Sequence, residues 1–145
     1  MDVGSGGGLP GVVLAILCPA IGVTCVDTVG KKAAFIRQVG AELGLPNLRA
    51  EHARVEQLGG QFDVVASRAF ASLADFTAWT RTLLSPSHGM WMAMKGRHPD
   101  DEVGALAPDI QVQRVQDLQV AGLDAERCLV WMKPSSDLRD STVKG

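Results

Sequence analysis

The residues best suited to chemistry crowd the first eleven positions, Met1-Asp2-Val3-Gly4-Ser5-Gly6-Gly7-Gly8-Leu9-Pro10-Gly11. An acid closes a short apolar segment, a glycine cluster follows, and an apolar helical segment starts at once. Five glycines in eleven residues let the backbone turn tightly and approach a ligand without Cβ clashes. Such a turn delivers the ligand to a helix N-terminus with free N–H groups. Gly6, Gly8 and Gly11 satisfy the dinucleotide spacing G-x-G-x-x-G. In that register the first glycine comes late after the strand. Asp2 also sets a carboxylate beside the loop. A pyrophosphate there meets a like charge, whereas a cationic ammonium or sulfonium is favoured. The loop therefore favours S-adenosylmethionine over NAD, with an NAD-dependent oxidoreductase as the standing alternative. Asp27 lies about 20 residues beyond the glycines, where an acid can accept both hydroxyls of a ribose.

Holding such a loop takes alternating strands and helices, and the chain alternates. Residues 9–17 read as a helix with Pro10 near its start, where a missing N–H costs little. Val23-Thr24-Cys25-Val26 is β-rich and ends at Asp27. After Gly30, the residues Ala33, Ile36, Gly40 and Leu43 recur at helical spacing, and Phe35 and Val39 widen the apolar stripe. Gly44 and Pro46 stop that helix. Strands are expected at 48–53, 62–67, 90–94, 110–118 and 128–132, a helix at 73–84, and a short acidic helix after Pro99. The fold class is α/β: a mostly parallel sheet with helices on both faces. The last two strands, joined by a short connection, imply one antiparallel strand near the C-terminus. Residues 1–133 form one domain, and the polar stretch 134–145 reads as a frayed tail.

The 145 residues suffice for one buried core. Hydrophobic residues at 46% and charged residues at 21% are an ordinary globular mix. No apolar run approaches the roughly 20 residues of a membrane span, and no secretory signal is visible, so a cytoplasmic location is expected. Cys18, Cys25 and Cys128 read as small buried hydrophobes, and His52, His88 and His98 show no metal-ligand spacing. No metal is expected. The net charge of −2 gives no general attraction to nucleic acid, so any such site needs a local arrangement of positive charge.

In an open parallel sheet, ligands bind outside the C-terminal ends of the strands. This chain puts there the glycine loop, then Asp27, then Arg54, Val55 and Glu56, then Ser67 and Arg68, then Lys95, Gly96 and Arg97. The antiparallel strand begins at the same edge near Arg127. Five of the 14 basic residues thus project toward one rim, and an anionic partner can dock there despite the negative net charge. Trp91, set among methionines, reads as core strand, Trp79 as packing, and Asp100-Asp101-Glu102 as a solvated helix start. Phe70 is either core or a base contact.

The run Asp2-Val3-Gly4-Ser5-Gly6-Gly7-Gly8-Leu9-Pro10-Gly11 resembles the cofactor motif of the bacterial 16S rRNA guanine-N7 methyltransferases known as RsmG or GidB. The Leu9-Pro10-Gly11 ending is more specific than the glycines. Gly30-Lys31-Lys32, Phe35-Ile36-Arg37, Arg54-Val55-Glu56, residues 67–73, Lys95-Gly96 and Glu126-Arg127 complete the pattern. The resemblance implies a class I S-adenosylmethionine-dependent methyltransferase sheet, S-adenosylmethionine as donor, and a guanine of the small ribosomal subunit as acceptor. It implies cofactor contacts at Gly4, Leu9, Val55, Glu56 and Arg68, with Asp27 as the ribose acid and Asp2, Gly6 and Gly8 in the loop. It sets Arg54, Arg68 and Arg127 at the active site. It also implies a helical segment ahead of the glycine loop, which the sequence does not carry, so a first strand of about three residues is expected, against a typical five to six.

Guanine N7 has an exposed lone pair, so no proton need be removed before attack and no general base is assigned. Were one needed, His52 is the first suspect. Arg54, Arg68 and Arg127 are expected to position RNA phosphates or the guanine O6, with Lys95 and Arg97 as further RNA contacts. Arg68 also suits the carboxylate of the cofactor. The partner expected is 16S rRNA or the small ribosomal subunit, and the chain is expected to act as a monomer. A non-catalytic RNA- or ribosome-binding fragment is the other alternative.

Overall fold

The structure is a computed structural model and describes residues 1–136. Its strands are β1 (Asp2–Val3), β2 (Val23–Asp27), β3 (Leu48–His52), β4 (Val64–Arg68), β5 (Met90–Lys95), β6 (Ile110–Asp117) and β7 (Cys128–Pro134). The helices are α1 (Gly11–Leu17), α2 (Gly30–Glu42), α3 (Leu73–Thr80) and α4 (Asp100–Gly104), with single 3-10 turns at Val55–Gln57 and Arg81–Leu83. One sheet takes all seven strands in the order β3-β2-β1-β4-β5-β7-β6. Strands β1 to β5 pair in parallel, and β7 runs against both β5 and β6. The expected mostly parallel sheet with one reversed strand is therefore present.

Each face has its own core. Val3, Val65, Leu73, Phe76, Trp91 and Val130 form one buried cluster, and Val12, Ala15, Cys25, Ile36 and Ala50 form the other. Strand alternation explains the split: Asp2, Cys25 and Ala66 are in register on one face, and Val3, Val26 and Ser67 on the other. Helices α1 and α2 cover the first face, and α3 and α4 the second. The Ser72 hydroxyl caps α3 by accepting from the Asp75 amide at 3.1 Å.

Strand β1 is only two residues long yet sits mid-sheet. Its pairing extends one residue earlier, because the Met1 carbonyl accepts from the Ala66 amide and the Met1 amino group donates to the Val64 carbonyl, both at 2.8 Å. Chain order reverses between β1 and β4, which makes their C-terminal ends the switch point where open sheets form ligand crevices. The glycine loop starts there.

Several boundaries differ from the sequence reading. Leu9 and Pro10 precede α1, because the Leu9 amide still belongs to the loop and donates to the Ser5 carbonyl. Phe62 makes only an isolated bridge with Leu84, so β4 starts at Val64. The helix expected over 73–84 stops at Thr80 and tightens into a 3-10 turn. The Thr80 hydroxyl turns back to the Phe76 carbonyl at 2.6 Å and accepts from the Trp91 indole at 2.9 Å. Phe35 does not join the apolar stripe and is 51% exposed. Strand β7, expected to end at 132, runs to Pro134, and the Ser135 amide donates to the Asp109 carbonyl. The rest of the expected tail, 137–145, lies outside the described residues.

Candidate functional site

Strand register brings the expected loops to one edge of the sheet. Val3 pairs with Val26 and Ser67, Asp27 with His52, Arg68 with Met94, and Lys95 with Cys128. The glycine loop leaves β1 over the top of β2, where the Gly4 and Ser5 amides both donate to the Val26 carbonyl at 2.9 and 3.1 Å. Gly4 has φ +67°, a left-handed conformation. A Cβ there would lie 2.6 Å from Cδ2 of Phe70. Phe70 therefore packs on the loop, and it also meets Phe76 and Trp79 edge-on at 6.3 and 5.9 Å. Phe70, expected as either core or a base contact, thus packs in support of the loop.

Two buried carboxylates bracket the loop. Asp27 accepts the Gly6 amide on one oxygen and the Val29 amide on the other, each at 2.9 Å. Asp2 accepts the Gly11 amide on Oδ2 at 2.9 Å, while its buried Oδ1 has no hydrogen-bond partner. Burial raises the Asp2 carboxyl to about 6, and the Gly11 amide, Ser5 and the charges of the chain's N-terminus and Arg68 offset only part of that. Ser5, passed over at the sequence level, is 1% exposed and its hydroxyl donates to the Asp2 carbonyl at 2.8 Å. Gly8 and Leu9 continue the loop, with Gly8 at φ +93° and Leu9 44% exposed.

Arg54, Glu56, Arg68, Arg97 and Arg127 are all exposed at this edge. Arg54 follows β3 at the far side of the sheet. Val55 beside it is buried in the same cluster as Val3, Leu73 and Phe76. That anchor draws the Arg54 loop back across the rim toward α3. Val55 thus acts as a core residue through its side chain. Arg68 lies close enough to Asp2 to act on its charge.

Lys95, expected as an RNA contact, has its ammonium engaged within the protein. It donates to the Ala71 carbonyl at 3.1 Å and pairs with Glu102 at 3.0 Å, with its side chain 17% exposed. Glu102 also accepts the Leu73 amide at 3.1 Å. The acidic run is therefore not simply solvated: its third member ties β5, the β4–α3 loop and α4 together. His52 is likewise engaged, with Nε2 3.0 Å from the Thr28 carbonyl. His88 and His98 pair with Asp63 and Asp100. Among the described residues, no group of three or more His, Cys, Asp or Glu could hold a metal ion. No helix among them is long and apolar enough to cross a membrane.

The sequence model of the GidB family, rRNA small subunit methyltransferase G, matches residues 1–130. A protein named ribosomal RNA small subunit methyltransferase G from Acidovorax sp. (strain JS42) is 63% identical over 134 residues, which cover 92% of this chain and 59% of that relative. The protein of the same name from Leptothrix cholodnii is 64% identical over 137 residues, covering 94% and 62%. The chain thus spans somewhat less than two thirds of the relatives it matches. Among solved structures, a ribosomal protein L11 methylase from Lactobacillus delbrueckii subsp. bulgaricus is similar with a TM-score of 0.70 at 15% identity. That match covers 92% of this chain and 68% of the methylase, and it speaks for the fold alone.

Proposed function

The chain belongs to the rRNA small subunit methyltransferase G family, and from that membership we propose that it transfers a methyl group from S-adenosylmethionine to N7 of a guanine in 16S rRNA. The observation that carries the reading is the pair of buried carboxylates around the glycine loop, Asp27 at Gly6 and Asp2 at Gly11. Two acids oppose a pyrophosphate and suit a cationic nucleoside.

S-adenosylmethionine supplies an electrophilic methyl on a cationic sulfur. Asp27 holds its ribose with the lone pairs left free by the Gly6 and Val29 amides. The partnerless Oδ1 of Asp2 compensates positive charge on the cofactor, whose contacts extend along Gly4, Gly8 and Leu9. Arg68 serves the cofactor carboxylate, and Arg54, Arg97 and Arg127 hold RNA phosphates or the guanine O6. Lys95 orders the rim through Glu102. No residue acts as a base, because the attacking N7 carries no proton. The rate comes from alignment and exclusion of water, which can supply about 7–11 kcal/mol in well-oriented reactions. The substrate is the small ribosomal subunit, met in the cytoplasm by a monomer.

Calorimetric titration tests the cofactor half of this reading. S-adenosylmethionine is expected to bind and NAD not to bind. Binding of NAD alone would replace the proposal with a dehydrogenase.

A further inference from the structure

A cleft of about 1020 Å³ opens beside the rim, between the β5–α4 loop and the β6–β7 hairpin. Its walls include Arg97, Asp117, Asp124, Glu126 and Arg127. They are tied together: Cys128 Sγ lies 3.7 Å from the Arg97 carbonyl, and the Leu118 amide donates to the Arg127 carbonyl at 2.8 Å. Arg127 donates through Nη1 to the Glu126 carbonyl at 2.7 Å. Resting on the methyltransferase reading above, we propose that this cleft seats the guanine to be methylated, gripped along its Watson–Crick edge by the carboxylate of Asp117.

Charge decides between base and phosphate. Three carboxylates face two guanidiniums and His98, whose Nδ1 is already engaged 2.7 Å from Asp100. A phosphate would meet more negative than positive charge inside. A neutral base with hydrogen-bond donors meets the reverse. Guanine alone among the four RNA bases offers two adjacent donors, N1–H and the N2 amino group, and a carboxylate matches that pair. Gripped there, guanine keeps O6 and N7 free on its other edge. The arginines are left for O6 and for the flanking phosphates. Strand order sets the cleft on the β5–β7 side of the rim and the glycine loop on the β1 side, and in this proposal the free edge is the one that meets the cofactor.

Asp117 is the best placed of the three acids. It ends β6 and is register-paired with Cys128 at the start of β7, so the ladder fixes its backbone. Asp124 and Glu126 ride on the hairpin loop. Among the described residues, the Asp117 side chain has no hydrogen bond or ion pair of its own.

Titration of the isotope-labelled chain with guanosine 5′-monophosphate and inosine 5′-monophosphate, followed by NMR, tests the pocket, since inosine lacks only the N2 amino group. Guanosine monophosphate is expected to shift the amide signals of Arg97, Asp117 and Arg127, and to bind about tenfold tighter than inosine monophosphate, the worth of one hydrogen bond to a charged group. Asp117→Asn is expected to abolish that preference. Loss of the preference in Asp117→Asn supports the pocket even where no methyl transfer is seen. Equal affinities in a chain that still methylates small subunits overturn the pocket and leave the methyltransferase reading intact. A preference that survives Asp117→Asn, or moves to Glu126→Gln, overturns the assignment to Asp117.

Discussion

The backbone amide of Gly6 donates to the carboxylate of Asp27 at 2.9 Å across 21 residues of sequence. The acid at the end of β2 therefore holds the glycine loop of β1 in place, besides its proposed role at the cofactor ribose. Asp27→Ala is expected to weaken S-adenosylmethionine binding by about 1.5–3 kcal/mol, the usual worth of hydrogen bonds to a charged group. Asp27→Asn keeps an acceptor for Gly6 and is expected to lose less. Calorimetry on both variants reads this, and an unchanged affinity in Asp27→Ala removes the residue from the site.

Gly4→Ala is expected to destabilise the chain by about 1–3 kcal/mol. The left-handed φ of +67° disfavours any L side chain, and the added Cβ meets the Phe70 ring at 2.6 Å. Because the two residues touch, Gly4→Ala combined with Phe70→Ala should cost less than the sum of the single changes. Denaturant unfolding of the four proteins measures the coupling, and strict additivity would deny the contact.

Asp2 makes stability depend on pH with a definite sign. Its folded carboxyl titrates at about 6 against an ordinary 3.8. Between these values the unfolded chain has lost the proton and the folded chain keeps it. Stability contributed by this group therefore falls as pH rises through that window, by about 3 kcal/mol in all. Asp2→Asn is expected to flatten that stretch of the stability curve. Over the same window S-adenosylmethionine should bind more tightly as pH rises, since the ionised carboxylate attracts its positive charge. A cofactor affinity that ignores pH between 4 and 6 would separate Asp2 from the cofactor.

Arg127→Ala is expected to reduce RNA affinity and to lower the slope of log K against log salt by about 0.7–0.9, one phosphate contact. Binding isotherms at several salt concentrations test this. An unchanged slope means Arg127 touches no phosphate and leaves it only the guanine O6.

The inner strands were legible as apolar runs bounded by glycine, proline or an acid, as Val23–Asp27 and Met90–Lys95 show, whereas β3 and β6 carry alternating polar residues. The rim followed from the strand ends. What escaped was tertiary. Glu102 reads as a solvated acid in the run Asp100-Asp101-Glu102, and only the fold brings Lys95 and the Leu73 amide to it. Phe35 fits the helical period but lies on the outer side of α2, because the buried side is set by Ala33 and Ile36. Val55 reads as a motif residue, and its burial beside Phe76 shows only in three dimensions. Asp117 gave no signal, since a lone acid at a strand end is ordinary surface chemistry.

Methyl transfer to purified small ribosomal subunits, with the labelled methyl of S-adenosylmethionine followed into the digested 16S rRNA, tests the proposed activity most directly. The expected result is label recovered as 7-methylguanosine at a single guanine, reduced together with cofactor affinity in Asp27→Ala. Label at another atom or base, or no label in a chain that binds both cofactor and subunit, would contradict it.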